Sequence, residues 1–328
     1  MHILITGAGG MIGRKLAATL ARSGVLGERA ITRMTLVDIA APPVPAGTVP
    51  AVDVRACDIS AEGAAQALAA LRPDVIFHLA AIVSGQAERD FDLGYRVNLD
   101  GTRDLFEAIR REGARDAYMP RVVFTSSLAV YGAPLPDPIP DDYLLAPLTS
   151  YGVQKAIGEL LLADYSRRGF LDGVGVRLPT VVIRPGAPNA AASGFFSGIL
   201  REPLAGRRAV LPVGDDVRHW LASPRSAVAF LIRAATLDTS GLGVRRTLNM
   251  PGVEATVADQ IAALERAGGP DAVALIDRRP DAAVAGIVDA WPRAFAPRKA
   301  IELGFTAETT VDELIAVYLA EDAPGAAA

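Results

Sequence analysis

The sequence predicts an α/β fold built on a doubly wound parallel sheet, because apolar and amphipathic segments alternate along its first half. The apolar segments are continuous runs, as is typical of strands that helices cover on both faces. We predict strands at residues 2–6, 34–38, 74–79, 121–126 and 174–177. We predict helices at residues 11–22, near 60–71, at 98–112 and at 150–168.

The second half of the chain has shorter segments, and Pro and Gly are more frequent there. We therefore predict a main domain at residues 1–176 and a smaller C-terminal lobe at residues 177–328. Such a lobe would cover the carboxyl ends of the strands, where open α/β sheets bind ligands. Residues 247–250 are expected to return a strand to the main sheet, so the two parts should be partly interwoven. The alanine-rich end after Glu321 is expected to fray.

Composition argues against several classes of function. The net charge of −4 offers no basic surface to nucleic acid or to an anionic membrane. One cysteine and three histidines allow neither an intrachain disulfide nor a zinc site built on thiolates, and we predict no metal. No apolar run is long enough to span a membrane, and no signal peptide is recognisable, so we expect a cytoplasmic protein.

A glycine-rich turn joins the first predicted strand to the first helix. Gly7, Gly10 and Gly13 give the spacing G-x-x-G-x-x-G, with Met11 and Ile12 inside it. Such a turn lets the backbone approach a pyrophosphate, which then rests on the amino terminus of the helix. We predict that these five residues bind a dinucleotide.

The second predicted strand ends at Asp38, which is placed to accept hydrogen bonds from the adenosine ribose. A carboxylate there repels a 2′-phosphate, and Ile39 supplies no compensating positive charge, so we predict NAD rather than NADP. Strand, turn, helix and acid together indicate the Rossmann fold. His78 is expected to be packed and hydrogen-bonded within the sheet. The ends of the next strands are predicted to contact the cofactor through Asp58, Ile59, Leu79, Ala80 and Ala81.

Tyr151 and Lys155 lie four residues apart on a predicted helix, so the phenol and the ammonium share one face. An unperturbed tyrosine has a pKa of about 10, and a nearby cation lowers it toward the range needed for proton transfer. We predict that Tyr151 exchanges a hydroxyl proton while Lys155 tunes it and holds the nicotinamide ribose. A serine at the end of the preceding strand would orient the reacting oxygen; we predict Ser127, with Ser126 as the alternative.

Together these motifs resemble the extended short-chain dehydrogenase/reductase family, which includes NDP-sugar epimerases and dehydratases. The resemblance is carried by Gly7, Gly10, Gly13, Asp38, Asp58, residues 78–81, Asn98, residues 126–132, Tyr151, Lys155 and residues 299–305. It implies that Ser127, Tyr151 and Lys155 are catalytic and that Asn98 belongs to the cofactor site. It also implies a homodimer formed through the helices at 98–112 and 150–168.

The sequence departs from the sugar-nucleotide branch of that family in three places. Leu128 and Ala129 stand where the dehydratases carry an acidic pair. The segment 177–180 lacks the asparagine that is common in that branch, and the segment 218–225 replaces an aromatic-Val-His-Val-Asp stretch.

Three other segments, at 79–88, 90–95 and 222–228, resemble the branch that oxidises four-carbon aldonates such as D-erythronate. That resemblance implies NAD-dependent oxidation of the 2-hydroxyl of a small aldonate to 2-oxo-tetronate. An NDP-sugar epimerase is the alternative. A regulator that uses the fold only to bind a nucleotide would have no need of Tyr151 and Lys155.

A carboxylate substrate requires a partner, and the planar guanidinium of arginine is the usual one. Arg225 and Arg218 are the candidates, although a surface ion pair would explain either residue equally well. The predicted substrate-binding residues are Ser84, Ser127, Tyr151, Thr180, His219 and Arg225.

Overall fold

Apolar runs of the sequence form the central strands. The computed structural model describes residues 1–186 and 193–323. Numbered along the chain, the strands are β1 (His2–Thr6), β2 (Val25–Leu26), β3 (Arg29–Ala30), β4 (Arg33–Asp38), β5 (Val52–Ala56), β6 (Val75–His78), β7 (Arg121–Ser127), β8 (Ile139–Pro140), β9 (Asp172–Leu178), β10 (Thr180–Val181), β11 (Ala209–Leu211), β12 (Arg218–Ala222), β13 (Thr247–Asn249), β14 (Val253–Thr256), β15 (Ile276–Arg278) and β16 (Phe295–Ala296).

The helices are α1 (Met11–Ser23), α2 (Ala64–Ala69), α3 (Ser84–Arg89), α4 (Phe91–Gly94), α5 (Gly101–Arg115), α6 (Ser150–Arg167), α7 (Gly194–Leu204), α8 (Pro224–Thr236), α9 (Val257–Val273), α10 (Ala282–Asp289), α11 (Arg298–Glu302) and α12 (Val311–Glu321). A π-helical turn, Tyr95–Asp100, precedes α5. The alanine-rich end that was expected to fray lies outside the described residues from position 324 onward.

Within the described residues, seven strands form one sheet in the order β5-β4-β1-β6-β7-β9-β13. Strand β1 pairs in parallel with β4 on one side and with β6 on the other, so the chain winds outward in both directions from β1. This is the doubly wound order of the Rossmann fold, and its switch point is between β1 and β6. The predicted fold class is therefore confirmed, as is the returning strand, which is β13.

The chain divides into two compact units, each made of separate segments. The first comprises Met1–Val130, Thr149–Arg177 and Val228–Leu248, and the second comprises Tyr131–Leu148, Leu178–Ala227 and Asn249–Ala328. These two units, each made of separate segments, differ from the single division of the chain after residue 176 that the sequence predicted. That the second unit binds substrate stays a prediction.

The first unit buries an apolar cluster between the sheet and its helices, in which Leu4, Ile76 and Val122 pack with Phe106 and Phe124. Burial of large apolar side chains is the main stabilising contribution to such a core. The cluster fixes α5 and α6 against β6 and β7. The carboxyl ends of these strands therefore present their residues on a rigid support.

The second unit has a core of its own, to which Phe196, Leu200, Leu221, Leu264 and Ile315 contribute. Its three-stranded sheet has the order β10-β12-β14, with β10 parallel and β14 antiparallel to β12. Strand β11 pairs with β15, and β8 pairs with β16.

The predicted strands are confirmed with ends that move by one or two residues, but two helix predictions need correction. The helix expected near 60–71 covers only Ala64–Ala69, because Gly63 has a φ of +78° and helical geometry begins after it. The helix expected at 98–112 is π-helical until Asp100 and continues as α5 to Arg115. Asp58 was placed at the end of a strand, whereas β5 ends at Ala56.

Candidate active site

The turn after β1 can be made only with glycine at two positions. Gly7 has a φ of +74°, and a Cβ atom on it would lie 2.6 Å from the backbone nitrogen of Ala80. A Cβ atom on Gly13 would lie 2.1 Å from the carbonyl oxygen of Gly7. The turn, the end of β6 and the start of α1 are therefore in direct backbone contact, as a dinucleotide-binding turn requires.

Helix α1 begins at Met11 behind Gly10, with neither a capping side chain nor an acidic residue in its first turn. The first N–H groups of a helix have no partner within the helix, and its amino terminus carries a partial positive charge. An uncapped terminus of this kind, next to a glycine turn, fits the pyrophosphate of a dinucleotide. The residues present therefore suit the predicted cofactor.

The Asp38 carboxylate is held beside this turn. Its Oδ2 atom accepts a hydrogen bond of 2.8 Å from the Gly9 amide, and its Oδ1 atom accepts one of 2.7 Å from the Ile39 amide. A Cβ atom on Gly9 would approach Asp38 Oδ2 to 3.1 Å. Gly9 was missed because the glycine spacing does not include it; the signal was the Gly9–Gly10 pair.

Two predicted cofactor residues make contacts that orient the backbone. Asn98 is buried, and its side chain bonds both the amide nitrogen (2.7 Å) and the carbonyl oxygen (3.1 Å) of Ile82. It also donates to Gln154 Oε1 at 2.7 Å. Asp58 Oδ1 accepts from the backbone and hydroxyl of Ser60, and the hydroxyl bond is the main reason that the pKa of Asp58 is lowered.

Ile59 lies in the buried core of the first unit, while Leu79, Ala80 and Ala81 follow β6 directly. His78 is buried between Thr6 Oγ1 at 2.8 Å and Thr102 Oγ1 at 2.9 Å, and burial lowers its pKa to about 3. The prediction that His78 is a packed, hydrogen-bonded residue of the sheet is confirmed.

Tyr151 and Lys155 lie in the first turns of α6, which Thr149 caps by accepting from the Gly152 amide at 3.1 Å. The Lys155 ammonium lies 5.7 Å from the centre of the Tyr151 ring and 5.0 Å from that of Phe124. It donates a hydrogen bond of 2.8 Å to the carbonyl oxygen of Thr125. Burial lowers the pKa of Lys155 to about 8, although the negative charge of Glu159 opposes the shift.

The two serines at the end of β7 have different partners. Ser126 is 3% exposed, and its hydroxyl donates to Glu159 Oε1 at 2.5 Å. Ser127 is partly exposed, and its oxygen accepts from the Ala129 amide at 3.1 Å, which leaves its proton available as a donor. The Ser126 hydroxyl proton is therefore engaged, whereas that of Ser127 is accessible; that Ser127 contacts a substrate oxygen stays a prediction. Ser84, the remaining predicted substrate residue of the first unit, is the first residue of α3.

In the second unit, the His219 ring contacts one other predicted substrate residue and two further neighbours. Its Nδ1 atom lies 3.0 Å from the carbonyl oxygen of Pro292, so this nitrogen carries a proton and Nε2 accepts from Thr180 Oγ1 at 2.7 Å. Its ring stacks on Phe196 with 5.0 Å between centres. Burial lowers the pKa of His219 to about 4, and the positive charge of Arg184 adds to the shift.

The two arginines proposed from the sequence are held by carboxylates. Arg225 is 52% exposed, and its Nε atom lies 2.6 Å from Glu321 Oε1. Arg218 forms ion pairs with Asp137 and with Glu254. Arg184, which follows the β10 segment and acts electrostatically on His219, is not marked by any local sequence pattern.

No group of three or more His, Cys, Asp or Glu residues within 1–186 and 193–323 is placed to hold a metal ion. In the same part of the chain, no helix is both long and apolar enough to cross a membrane.

Comparison with known proteins gives one family and several full-length relatives. The profile of the NAD dependent epimerase/dehydratase family matches residues 3–241. A D-erythronate dehydrogenase of Cupriavidus necator is 48% identical over 98% of this chain and 99% of its own. A D-erythronate dehydrogenase of Haemophilus influenzae is 39% identical over 98% of this chain and all of its own. A crystal structure described as a nucleoside-diphosphate-sugar epimerase from Agrobacterium tumefaciens has a TM-score of 0.97 and 60% identity, over all of this chain and 95% of that one.

Proposed function

Because the chain belongs to the NAD-dependent epimerase/dehydratase family, we propose that it is an NAD-dependent dehydrogenase that oxidises the 2-hydroxyl of a small aldonate, D-erythronate, to 2-oxo-tetronate. The observation that carries the redox chemistry is the buried Lys155 ammonium beside Tyr151 and the end of β7. The choice of substrate rests on end-to-end similarity to two D-erythronate dehydrogenases.

Bound NAD supplies the hydride acceptor, so the hydroxyl carbon loses a hydride and its oxygen loses a proton as the carbonyl forms. Tyr151 accepts that proton. Lys155 favours the phenolate through its positive charge and holds the nicotinamide ribose through its N–H groups. Ser127 donates a hydrogen bond to the reacting oxygen and keeps it in line with the phenol.

Residues of the first unit would hold the cofactor. The amides of the Gly7–Gly13 turn would bind its pyrophosphate, and the Asp38 carboxylate beside the turn would accept hydrogen bonds from the adenosine ribose hydroxyls. Its negative charge disfavours a 2′-phosphate, so we expect NAD to bind more tightly than NADP.

An NDP-sugar epimerase is the second candidate, favoured by the description of the Agrobacterium structure. An epimerase returns the hydride to the same substrate, so it would release no NADH. The departures at Leu128–Ala129 and at residues 218–225 argue against a sugar nucleotide.

Tyr151 is expected to be needed for turnover but not for NAD binding. Purified protein is expected to form NADH from NAD and D-erythronate, and less from D-threonate or L-threonate. Tyr151→Phe should lower kcat by roughly 10²–10⁴-fold, because it removes the group that accepts the proton, while NAD still binds. NADH absorbance and NAD titration measure the two quantities.

Tyr165→Phe is the matched control, because this tyrosine is on the same helix and its hydroxyl bonds Glu107. It should keep its activity. Epimerisation of a UDP-sugar without net NADH formation would reject the dehydrogenase proposal in favour of the epimerase.

We also propose that the protein acts in the cytoplasm as a homodimer joined through α5 and α6. The single cysteine is consistent with a reducing compartment. On α6, Leu160 is 66% exposed while Lys155 is buried, so this helix presents an apolar residue away from the catalytic pair.

A further inference from the structure

A buried ion pair lies behind the catalytic residues of α6. Glu159 and Arg177 have side chains that are 5% and 9% exposed, and two bonds of 3.0 and 2.7 Å join them. The same carboxylate accepts the 2.5 Å hydrogen bond from Ser126. Burying two charges is costly and is rarely the most stable way to fill a core. Such a pair next to the catalytic residues points to a role beyond stability.

Glu159 is in register with the predicted catalytic pair. It follows Lys155 by four residues, as Lys155 follows Tyr151, so the three side chains lie along one face of α6. Strand β7 meets this face twice, through the Lys155 bond to the Thr125 carbonyl and through the Ser126 bond to Glu159. The residue that follows these two contacts is Ser127.

Several groups from the packed elements face Lys155. Helix α6 contributes the Tyr151 phenol and the Glu159 carboxylate, and β7 contributes the Phe124 ring. Strand β6 contributes His78, which is neutral because its pKa is about 3. The Glu159 charge favours the ammonium form, against the burial that favours the neutral amine.

We propose that Glu159 is a positioning residue for Ser127, Tyr151 and Lys155: held by Arg177 and Ser126, its carboxylate keeps Lys155 charged and ties the end of β7 to α6. Without it, Lys155 would lose its proton at a lower pH. The neutral amine would then neither favour the Tyr151 phenolate nor donate as strongly to the nicotinamide ribose.

The test is Glu159→Gln, read out as the dependence of NADH affinity on pH by fluorescence titration. Affinity should fall at alkaline pH as Lys155 loses its proton, and the midpoint of this fall should move to lower pH by about one unit in the variant. The alkaline limb of kcat/KM for D-erythronate should move by the same amount. A purely structural role would lower stability without moving either midpoint.

Asp172→Asn is the matched control. Asp172 pairs with Arg121 at the opposite ends of the same two strands, β7 and β9, and this pair is also largely buried. Its loss should lower the stability but leave the midpoint unchanged. An equal shift in Asp172→Asn would overturn the proposal.

Glu159→Gln leaves the buried Arg177 charge without its carboxylate, which can prevent folding. The double variant Glu159→Gln/Arg177→Met removes both charges. Loss of the arginine can only help Lys155 keep its proton, so a lowered midpoint in the double variant is due to the missing carboxylate. An unchanged midpoint in folded Glu159→Gln, or in the double variant relative to Arg177→Met, rejects the inference.

The inference rests on the proposed function only for the turnover readout, since NADH affinity needs no substrate. A protein that oxidises no aldonate but shows the shifted midpoint would refute the proposed substrate and keep the role of Glu159. Oxidation of D-erythronate with an unchanged midpoint would support the proposed substrate and refute the role of Glu159.

Discussion

At the scale of single residues, three arginines of the second unit differ in what surrounds their guanidinium groups. Arg218 and Arg225 contact carboxylates. Arg184 donates to neutral oxygens, the carbonyl of Val181 at 2.8 Å and the hydroxyl of Ser193 at 3.1 Å, and its charge reaches the Thr180–His219 pair. Because Arg184 acts on the predicted substrate residues Thr180 and His219, its guanidinium is the best placed of the three to bind a substrate carboxylate through charge-assisted hydrogen bonds.

We therefore expect Arg184→Gln to raise the KM for D-erythronate by about 10- to 100-fold, since a charge-assisted hydrogen bond contributes roughly 1.5–3 kcal/mol. The change in kcat should be smaller, because the carboxylate is bound in both the ground and transition states. Arg225→Gln, which disrupts only the pair with Glu321, should leave KM unchanged. If steady-state kinetics showed that only Arg225→Gln raises KM, Arg225 and not Arg184 would be assigned to the substrate carboxylate.

Local spacing is sufficient to place some of the predicted site residues, whose roles stay predictions. The glycine turn and the Tyr151–Lys155 pair depend on neighbours within one turn of chain, so their placement can be read from sequence. The choice between Ser126 and Ser127 depends on Glu159, and the state of His219 depends on the carbonyl of Pro292. Contacts between such distant positions leave no local pattern, which is also why Arg184 was missed.

At the scale of elements, α6 packs on β7 through a glycine. A Cβ atom on Gly158 would lie 2.7 Å from Cζ of Phe124, the ring that the Lys155 ammonium also contacts. Helix α6 and strand β7 therefore pack closely beside Lys155, and this contact determines the distance of Lys155 from the sheet.

Gly158→Ala should therefore destabilise the protein by about 1–3 kcal/mol through overpacking, despite the better helix propensity of alanine. Gly198→Ala on α7 is the matched control, because nothing lies within 4 Å of its added Cβ atom. It should be neutral or stabilising by up to about 1 kcal/mol. Urea unfolding measures both, and equal stabilities of the two variants would contradict the proposed close contact.

Helices and strands were predicted best where one hydrophobic periodicity dominates the sequence. The apolar runs of the sheet gave strands, because both faces of β1, β4, β6 and β7 are covered. The short length of α2 and the π-helical turn before α5 were not predicted, since a single left-handed glycine and one widened turn change the backbone without changing the hydrophobic pattern.

At the scale of the whole molecule, the doubly wound parallel fold followed from the alternation of strands and helices, but the division into units did not. The late segment Val228–Leu248 also belongs to the first unit. It is connected to β9 by a hydrogen bond of 2.8 Å from the Gly175 amide to the Arg246 carbonyl. The sequence indicated a returning strand at 247–250, yet nothing local marks the segment Tyr131–Leu148 as part of the second unit.

Each unit buries one neutral histidine, and this predicts how stability depends on pH. The unfolded chain protonates its imidazoles below about pH 6.5. In the folded protein His78 and His219 bind a proton only near pH 3 and pH 4, because burial disfavours their charged forms. Stability is therefore complete above pH 6.5 and falls as the pH falls through the range 6.5 to 5, where the unfolded state binds more protons.

Each histidine should reduce the free energy of unfolding by roughly 2 kcal/mol between pH 6.5 and pH 5, at about 1.4 kcal/mol per pH unit. Urea unfolding at the two pH values measures the sum, or the share of each unit if the units unfold separately. His2→Gln is the control, because His2 is only partly buried, and it should retain most of the acid sensitivity. Equal stability at pH 6.5 and pH 5 would mean that the two buried imidazoles accept protons in the folded state, contrary to the hydrogen bonds that enclose them.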